Sequence, residues 1–185
     1  MLYKMSNISV EGVILPNESI SNLMINDAVD KLKIPNFRGC FCRNDLPKLP
    51  HKQECGILNL DDSNGSGTHW VAWYKDNDKK YYFDSYGLTP PTELINYLQS
   101  PIYYNSDRIQ PDGTVVCGHA CLYILKKLSD AALLARATDA DRVGELARLS
   151  LASDAALATN ADRVGELASN GVSLSSFQNI LNTLV

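Results

Sequence analysis

The sequence predicts an α+β fold, because helical periodicity near both ends of the chain brackets a central stretch of strand-like patterns. With 185 residues and 45% hydrophobic content, the chain is long enough to bury one core. Its 21 acidic and 17 basic side chains give a net charge of −4, which provides no global field for holding nucleic acid or an anionic membrane. Nucleic acid as a partner stays open, but the charge does not support it.

No stretch approaches the ~20 apolar residues of a membrane span, and the amino terminus lacks the apolar core of a signal peptide. The five cysteines, an odd number, do not match the even framework typical of small secreted folds. We therefore expect an intracellular protein with free thiols that is neither secreted nor bound to a membrane.

The first third of the chain predicts a helix, an irregular segment and a strand. Apolar residues recur at helical spacing in NESISNLMINDAVDKL (17–32), with Asn17 or Ser19 as the N-cap. The segment IPNFRGCFCRNDLPKLP (34–50) is interrupted by prolines and a glycine, which favours an ordered but irregular path rather than a sheet interior. The apolar run GILNLD (56–61) then predicts a buried strand.

The middle of the chain predicts a hairpin followed by shorter elements. Alternation in THWVAWYK (68–75) is typical of a strand, and YYFDSYG (81–87) follows the turn DNDKK as its partner. PPTELINYLQ (90–99) predicts a helix begun by two prolines, and PIYYN (101–105) a short strand. Residues 116–128 predict a further helix whose carboxyl end is marked by Lys126 and Lys127.

The composition changes abruptly after this helix. Residues 130–168 contain twelve alanines, four arginines and no lysine, against three alanines, three arginines and ten lysines in the rest of the chain. The segment also repeats itself, since residues 129–147 align with 153–168 when three residues are gapped. We therefore predict one domain formed by 1–129 and 169–185, ending in an amphipathic helix, with 130–168 as an inserted helical two-copy repeat.

His69 and Asp84 are predicted to be a catalytic base and its orienter. Among the three histidines, His69 begins the predicted strand beside Trp70, where its ring can face a cleft. Asp84 ends the neighbouring strand fifteen residues later, and a carboxylate there can accept the imidazole N–H, fix the tautomer and stabilise the imidazolium. Taken singly, each residue also has a structural explanation, as a core histidine or a turn-capping aspartate.

Cys117 is the predicted nucleophile. It follows the turn-like PDGT and begins a helix, whose positive end stabilises a thiolate. The backbone N–H of Cys117 and the side-chain amide of Gln110 can together form an oxyanion hole. Cys121 lies one helical turn further and is expected to be buried, while His119 lies on another helix face and is a poor base for Cys117.

These motifs resemble a known family of cysteine proteases. GTHWVAWY, YYFDSYG, the Gln110-to-Cys117 spacing and CGHACLYIL are similar to the adenovirus-type proteases (adenain) and their relatives in large DNA viruses, virophages and Maverick/Polinton transposons. More distantly, the order His, Asp, Gln, Cys resembles the SUMO-protease superfamily. The resemblance covers about residues 17–129 and resumes at NGVSLSSFQNILNTL (170–184).

The resemblance implies an α+β adenain/SUMO-protease-like fold that cleaves viral or transposon structural precursors next to small residues such as glycine, in the host cytoplasm or nucleus or in the virion. Bulky Trp70 beside the base is consistent with a narrow substrate-binding cleft.

The sequence departs from adenain at two points. Adenain has a glutamate where this chain has Asp84. Adenain's activating peptide bonds to a cysteine upstream of the glutamine, whereas no cysteine lies between Cys55 and Cys117 here. We predict a protein or peptide substrate and no cofactor, and the oligomeric state stays open.

Three alternatives remain at this stage. One is a ubiquitin-like-protein isopeptidase (deSUMOylase or deubiquitinase), and another is a non-enzymatic binding module that presents the helical repeat. The third is a zinc site, whose spacing C-x-C-x8-H-x3-C does not match the usual paired ligands, so no metal is predicted. Its candidate ligands are Cys40, Cys42, His51 and Cys55.

Overall fold

The computed structural model describes residues 7–151 and 172–183, and for 143–151 it describes the backbone alone. Within these ranges the chain forms two sheets and four α-helices, which confirms the α+β class. The strands are β1 (Ile8–Val10), β2 (Val13–Leu15), β3 (Phe37–Cys42), β4 (Gln53–Asn59), β5 (Trp70–Asp76), β6 (Lys79–Phe83) and β7 (Tyr103–Tyr104), and the helices are α1 (Asn22–Leu32), α2 (Thr92–Leu98), α3 (Cys117–Leu151) and α4 (Leu174–Asn182).

The main sheet has the order β3-β4-β5-β6-β7. Its three central strands are antiparallel, as predicted for the hairpin β5–β6, and each edge strand runs parallel to its neighbour. Side chains alternate between its two faces. Ile57 and Ala72 join the core formed with α1, α3 and α4, whereas Leu58, Val71 and Trp73 join a second apolar cluster with α2.

Two predictions in the first third of the chain are wrong in detail. Helix α1 begins at Asn22 and is capped by Ser21, whose hydroxyl accepts the Met24 N–H at 3.4 Å, rather than by the predicted Asn17 or Ser19. The segment predicted to be irregular contains β3, because its prolines fall outside the strand. β3 lies at the sheet edge, where its register shifts around Gly39 at φ +132°, and a glycine adopts this φ without strain. The small β1–β2 hairpin was not predicted.

The predicted carboxyl end of the α3 helix near residue 128 is also wrong, because α3 continues to Leu151. Lys126 does not end the helix but pairs with Asp130 one turn on, at 2.6 Å. The alanine-rich sequence that follows has high helix propensity, so nothing stops the helix at the point where the composition changes.

The first turns of the predicted insertion pack against the rest of the domain. Ala132 is buried in the main core, and the Arg136 Nη2 lies 2.9 Å from Oδ1 of the buried Asp76. The second repeat copy lies outside the described residues, so the division into a domain and an insertion stays a prediction.

Helix α4 appears where the final amphipathic helix was expected, with the Ser173 hydroxyl accepting the Ser176 N–H at 3.0 Å. In the parts of the chain that the structure describes, no helix is both long and apolar enough to cross a bilayer.

Candidate active site

The candidate site lies where the amino end of α3 meets one end of the β5–β6 hairpin. Cys117 is the first residue of α3, His69 directly precedes β5, and Asp84 directly follows β6. Because β5 and β6 are antiparallel, with Ala72 opposite Phe83, the start of one strand and the end of the other lie side by side. Residues far apart in the sequence are therefore brought together by the ends of three regular elements.

Asp84 holds the ring of His69 in a buried hydrogen bond. The His69 Nε2 lies 2.7 Å from the Asp84 Oδ1, and Asp84 is completely buried. The same Oδ1 accepts the Tyr86 N–H at 2.8 Å. Asn105 fixes the backbone of Asp84 from both sides, since its Oδ1 accepts the Asp84 N–H at 3.0 Å and its Nδ2 donates to the Asp84 carbonyl at 2.7 Å. The carboxylate therefore has little freedom to turn away from the imidazole.

A stack of side chains restrains the other face of the imidazole. The Tyr86 ring stacks on His69 with 4.6 Å between ring centroids and 25° between planes. The Arg108 guanidinium lies 4.8 Å from the centroid of the Tyr86 ring, and its Nε donates to the carbonyl of Gln110 at 3.0 Å. The arrangement limits rotation of the His69 ring, so the ring nitrogen that does not face Asp84 points in a defined direction.

The side chains of His69 and Cys117 lie close enough that each shifts the pKa of the other. Because Nε2 faces Asp84, Nδ1 is the ring nitrogen that remains for the sulfur. Burial lowers the pKa of His69, but the hydrogen bonds with Asp84 and Cys117 outweigh this and raise it to about 9. Burial raises the pKa of the Cys117 thiol, but hydrogen bonds with His69 and with the backbone N–H groups of Trp70 and Gly118 bring it below the ordinary thiol value. Both shifts favour a thiolate–imidazolium pair.

The other four cysteines are shifted in the opposite direction. Burial raises the thiol pKa of Cys40 to about 12 and also raises those of Cys55 and Cys121. Burial and nearby aspartates raise that of Cys42. Cys117 is thus the one cysteine of the five whose pKa is lowered. The zinc alternative gains no support, since the described residues contain no group of three or more suitable ligands.

Cys117 and His69 line a cavity of about 520 Å³. Its walls are the segment that leads into the first residue of α1 (19–22), part of β3 (40–42) and the glycine-rich loop (65–68). Trp70 also lines it, and its Nε1 donates to the Ile20 carbonyl at 2.9 Å. A Cβ added at Gly118 would lie 2.6 Å from the Ile20 Cγ1, so glycine is needed for α3 to begin this close to the cavity wall.

His69 and Cys117 are called the dyad below. Gln110 lies near this dyad but does not line the cavity that contains it. Its Oε1 accepts the Ser85 hydroxyl at 2.7 Å, while its Nε2 donates to the Thr114 carbonyl at 2.6 Å and to the Tyr86 hydroxyl at 3.3 Å. It borders a second cavity of about 310 Å³ on another side of α3. The structure therefore brings His69, Asp84, Cys117 and Trp70 together, and it leaves the amide of Gln110 bonded elsewhere.

Sequence reasoning did not identify Tyr86, Asn105 and Asn59 as parts of the site. Tyr86 could have been found, because it follows Asp84 by two residues in the motif YYFDSYG. Asn105, which follows β7, and Asn59, the last residue of β4 and part of the cavity wall, carried no such signal, since asparagine at a strand end is typical of an ordinary turn.

Comparison with known proteins gives a distant likeness among solved structures. No family model matches the chain, and no curated protein matches it. Among solved structures, the ASFV pS273R protease matches with a TM-score of 0.46 and 19% identity, covering 62% of this chain and 59% of that one. The chain therefore spans less than two thirds of the length of that protease.

Proposed function

We propose that this chain is a cysteine endopeptidase with Cys117 as nucleophile, His69 as base and Asp84 as orienter. The observation that carries the proposal is the buried Asp84–His69 hydrogen bond beside Cys117, at a cavity of about 520 Å³ that Cys117 and His69 both line. The opposite pKa shifts of His69 and Cys117 support the same roles, since a thiolate is the attacking species and an imidazolium is the acid it requires.

The reaction follows from these positions. The Cys117 thiolate attacks the scissile carbonyl carbon, and the electron pair of the C=O bond moves to oxygen. Collapse of this intermediate expels the amine, which takes the proton from the imidazolium of His69 and leaves a thioester on Cys117. His69 then removes a proton from water, and the resulting attack releases the carboxylic acid and restores the thiolate. The backbone N–H of Cys117, at the start of α3, and the amide of Gln110 are the proposed donors to the oxyanion.

The substrate is proposed to be a protein cleaved next to a small residue such as glycine. Trp70 lies in the cavity wall and is the proposed substrate contact, where its bulky indole would narrow the cleft beside His69. The finer proposal, maturation of viral or transposon structural precursors inside the host cell or the virion, rests on the likeness of the motifs to the adenain family. Cleavage of ubiquitin-like proteins uses the same chemistry and is separated from it only by experiment.

The test is to profile a library of peptides from digested proteins and map new amino termini by mass spectrometry, with Cys117→Ala as the control. We expect cleavage by the native chain only, with small residues on the acyl side of the scissile bond. Cleavage that persists in the Cys117→Ala variant would remove the proposed nucleophile. Release of a ubiquitin-like protein from a conjugate, with no cleavage of library peptides, would favour the isopeptidase instead.

A further inference from the structure

Asn59 ends β4 inside the cavity that contains the dyad. It lines this cavity and is only 5% exposed. In the register of β4 and β5 it lies directly opposite Trp70, so the two side chains share one face of the sheet. Trp70 and Cys117 line the same cavity, and the backbone N–H of Trp70 lowers the pKa of the Cys117 thiol. Asn59 is therefore one strand away from a residue that acts on the proposed nucleophile, and it has no role in the catalytic steps.

The orientation of the Asn59 amide follows from its partners. One atom of the amide accepts the N–H of Asp61 and the N–H of Thr68, each at 3.0 Å. An atom that receives two backbone N–H groups must be the oxygen, so the NH2 group occupies the other position. This Nδ2 has no hydrogen-bond partner among the residues that the structure describes. Although the residue is largely buried, Nδ2 is not one of the fully enclosed unpaired atoms of the described residues, so it is open to the cavity as a donor available to a ligand.

The glycine-rich loop leaves this donor open. The Asp61 carboxylate accepts the Gly67 N–H at 3.1 Å and so holds the loop beside Asn59. Gly67 has φ +84°, and a Cβ added there would lie 3.2 Å from the Asn59 Nδ2. Any larger residue would be strained and would press on the amide. Glycine at this position keeps the NH2 group accessible from the cavity.

The charge of the cavity selects the kind of acceptor. Asp45 and Asp62 line it together with Asn59, and the carboxylate of Asp61 is bonded to the Gly67 N–H of the loop. Their combined field is strong enough to contribute to the raised pKa of Cys42. A carboxylate or phosphate on a ligand would be repelled here, whereas a neutral carbonyl oxygen would not.

We propose that Asn59 is a substrate-binding residue whose Nδ2 donates a hydrogen bond to a backbone carbonyl of the peptide lying in the cavity. The inference rests on the proposed endopeptidase function and deepens it. A backbone carbonyl is present at every position of a peptide, so this contact aligns the chain beside Cys117 whatever its side chains are. Asn59 thus contributes to binding of extended peptides rather than to the choice of sequence.

The test is Asn59→Asp, with Asn44→Asp as the matched control. The carboxylate introduced by Asn59→Asp keeps an oxygen that accepts from the loop N–H groups but no longer offers the NH2 donor. Asn44 is exposed and does not line the cavity. Its Oδ1 accepts the Ser63 N–H at 2.9 Å, and its Nδ2 donates to the Ser63 hydroxyl at 3.2 Å. The control therefore adds the same charge and removes an amide donor that does not face the cavity. Two rates are measured for each protein: cleavage of library peptides that the native chain cuts, and alkylation of Cys117 by iodoacetamide.

For Asn59→Asp we expect kcat/KM for peptides to fall by about tenfold, mainly through KM, because a hydrogen bond to the substrate is lost and an acceptor faces the carbonyl. Iodoacetamide is too small to need Asn59, so its rate should stay within about twofold of native, as should both rates of the control. If the variant does not fold, Asn59→Ser replaces it, since its hydroxyl can still accept from the loop but is too short to present the donor.

Native kcat/KM in a folded Asn59 variant would overturn the inference. An equal fall in cleavage and alkylation would also overturn it, because Asn59 would then act through the dyad and not through the substrate. Absence of peptide cleavage by the native chain is a separate outcome, which removes the proposed function and with it the ligand assigned to Asn59.

Discussion

Replacing Asp84 by asparagine should separate the electrostatic role of this carboxylate from its structural role. The amide introduced by Asp84→Asn can still accept the Tyr86 N–H and the His69 Nε2–H, so the geometry of the site is largely kept. The negative charge is lost, however, and this charge is one of the causes that raise the pKa of His69 to about 9. The imidazolium then loses stability relative to the neutral ring, and the thiolate of Cys117 loses its cationic partner.

The net rise in the pKa of His69, from 6.5 to about 9, corresponds to roughly 3.5 kcal/mol at ~1.4 kcal/mol per pKa unit. Burial lowers this pKa, so the contributions of Asp84 and Cys117 together exceed the net value, and the charge of Asp84 supplies only one part of them. We expect kcat/KM near pH 7 to fall by roughly 10- to 100-fold, less than in His69→Ala.

The assay is the pH dependence of alkylation of Cys117 by iodoacetamide. In the native protein the thiol pKa is lowered, so alkylation should already be fast at neutral pH. His69 loses its proton near pH 9, which should mark the alkaline limb of peptide turnover. In Asp84→Asn the rise in alkylation should move to higher pH and the alkaline limb to lower pH, so that the active range narrows from both sides.

Asp76→Asn is the matched control for this prediction. Asp76 is also a buried aspartate, but it lies at the far end of β5 and pairs with Arg136. Its loss should lower the thermal midpoint without moving either limb of the pH profile. Superimposable alkylation profiles for native protein and Asp84→Asn would refute the electrostatic role of Asp84.

Three further predictions concern the oxyanion donor, the start of α3 and the repeat. Gln110→Ala should lower turnover by roughly 10²–10³ while alkylation continues, and native turnover would remove Gln110 from the site. Gly118→Ala should slow alkylation and turnover together, because the added Cβ displaces α3 from the cavity wall. Unchanged rates would show that the Ile20 side chain moves aside without displacing the helix. A variant lacking 137–169 should keep native turnover and thermal midpoint, whereas one lacking 130–169 also loses the ion pair of Arg136 and should melt lower, by roughly 2–4 °C per kcal/mol lost. Loss of turnover in the folded shorter deletion would show that the repeat shapes the site.

The proximity of His69, Asp84 and Cys117 could be predicted from the sequence because their positions depend on local patterns. Alternation marks β5 and β6, and a hairpin brings the start of one strand beside the end of the other, so His69 and Asp84 had to be neighbours. Cys117 follows a turn and begins a helix, and both features can be read locally. The fold class was predictable for the same reason, since it depends on the type of each element and not on exact bounds.

Other features depend on contacts that no local pattern reveals. Prolines argued against a strand in 34–50, but an edge strand needs only one bonded side, and β3 fits between Pro35 and Pro47. Lys126 and Lys127 suggested a helix end, but they form ion pairs with Asp130 and Glu11, and the helix continues past them. The opening left beside Asn59 depends on Gly67, eight residues away.

The hydrogen bonds of Gln110 bear on when it could act. Its Nε2 donates to the neutral Thr114 carbonyl, so a neutral substrate carbonyl would offer no gain in exchange. A developing oxyanion would offer a gain, because charge-assisted hydrogen bonds are about twice as strong as neutral ones. If Gln110 is the oxyanion donor, its amide should therefore leave Thr114 only as negative charge develops, and the bond would stabilise the transition state without stabilising the bound substrate. Gln110→Ala should accordingly lower kcat and kcat/KM by the same factor and leave KM unchanged. A rise in KM at native kcat would place Gln110 in substrate binding instead.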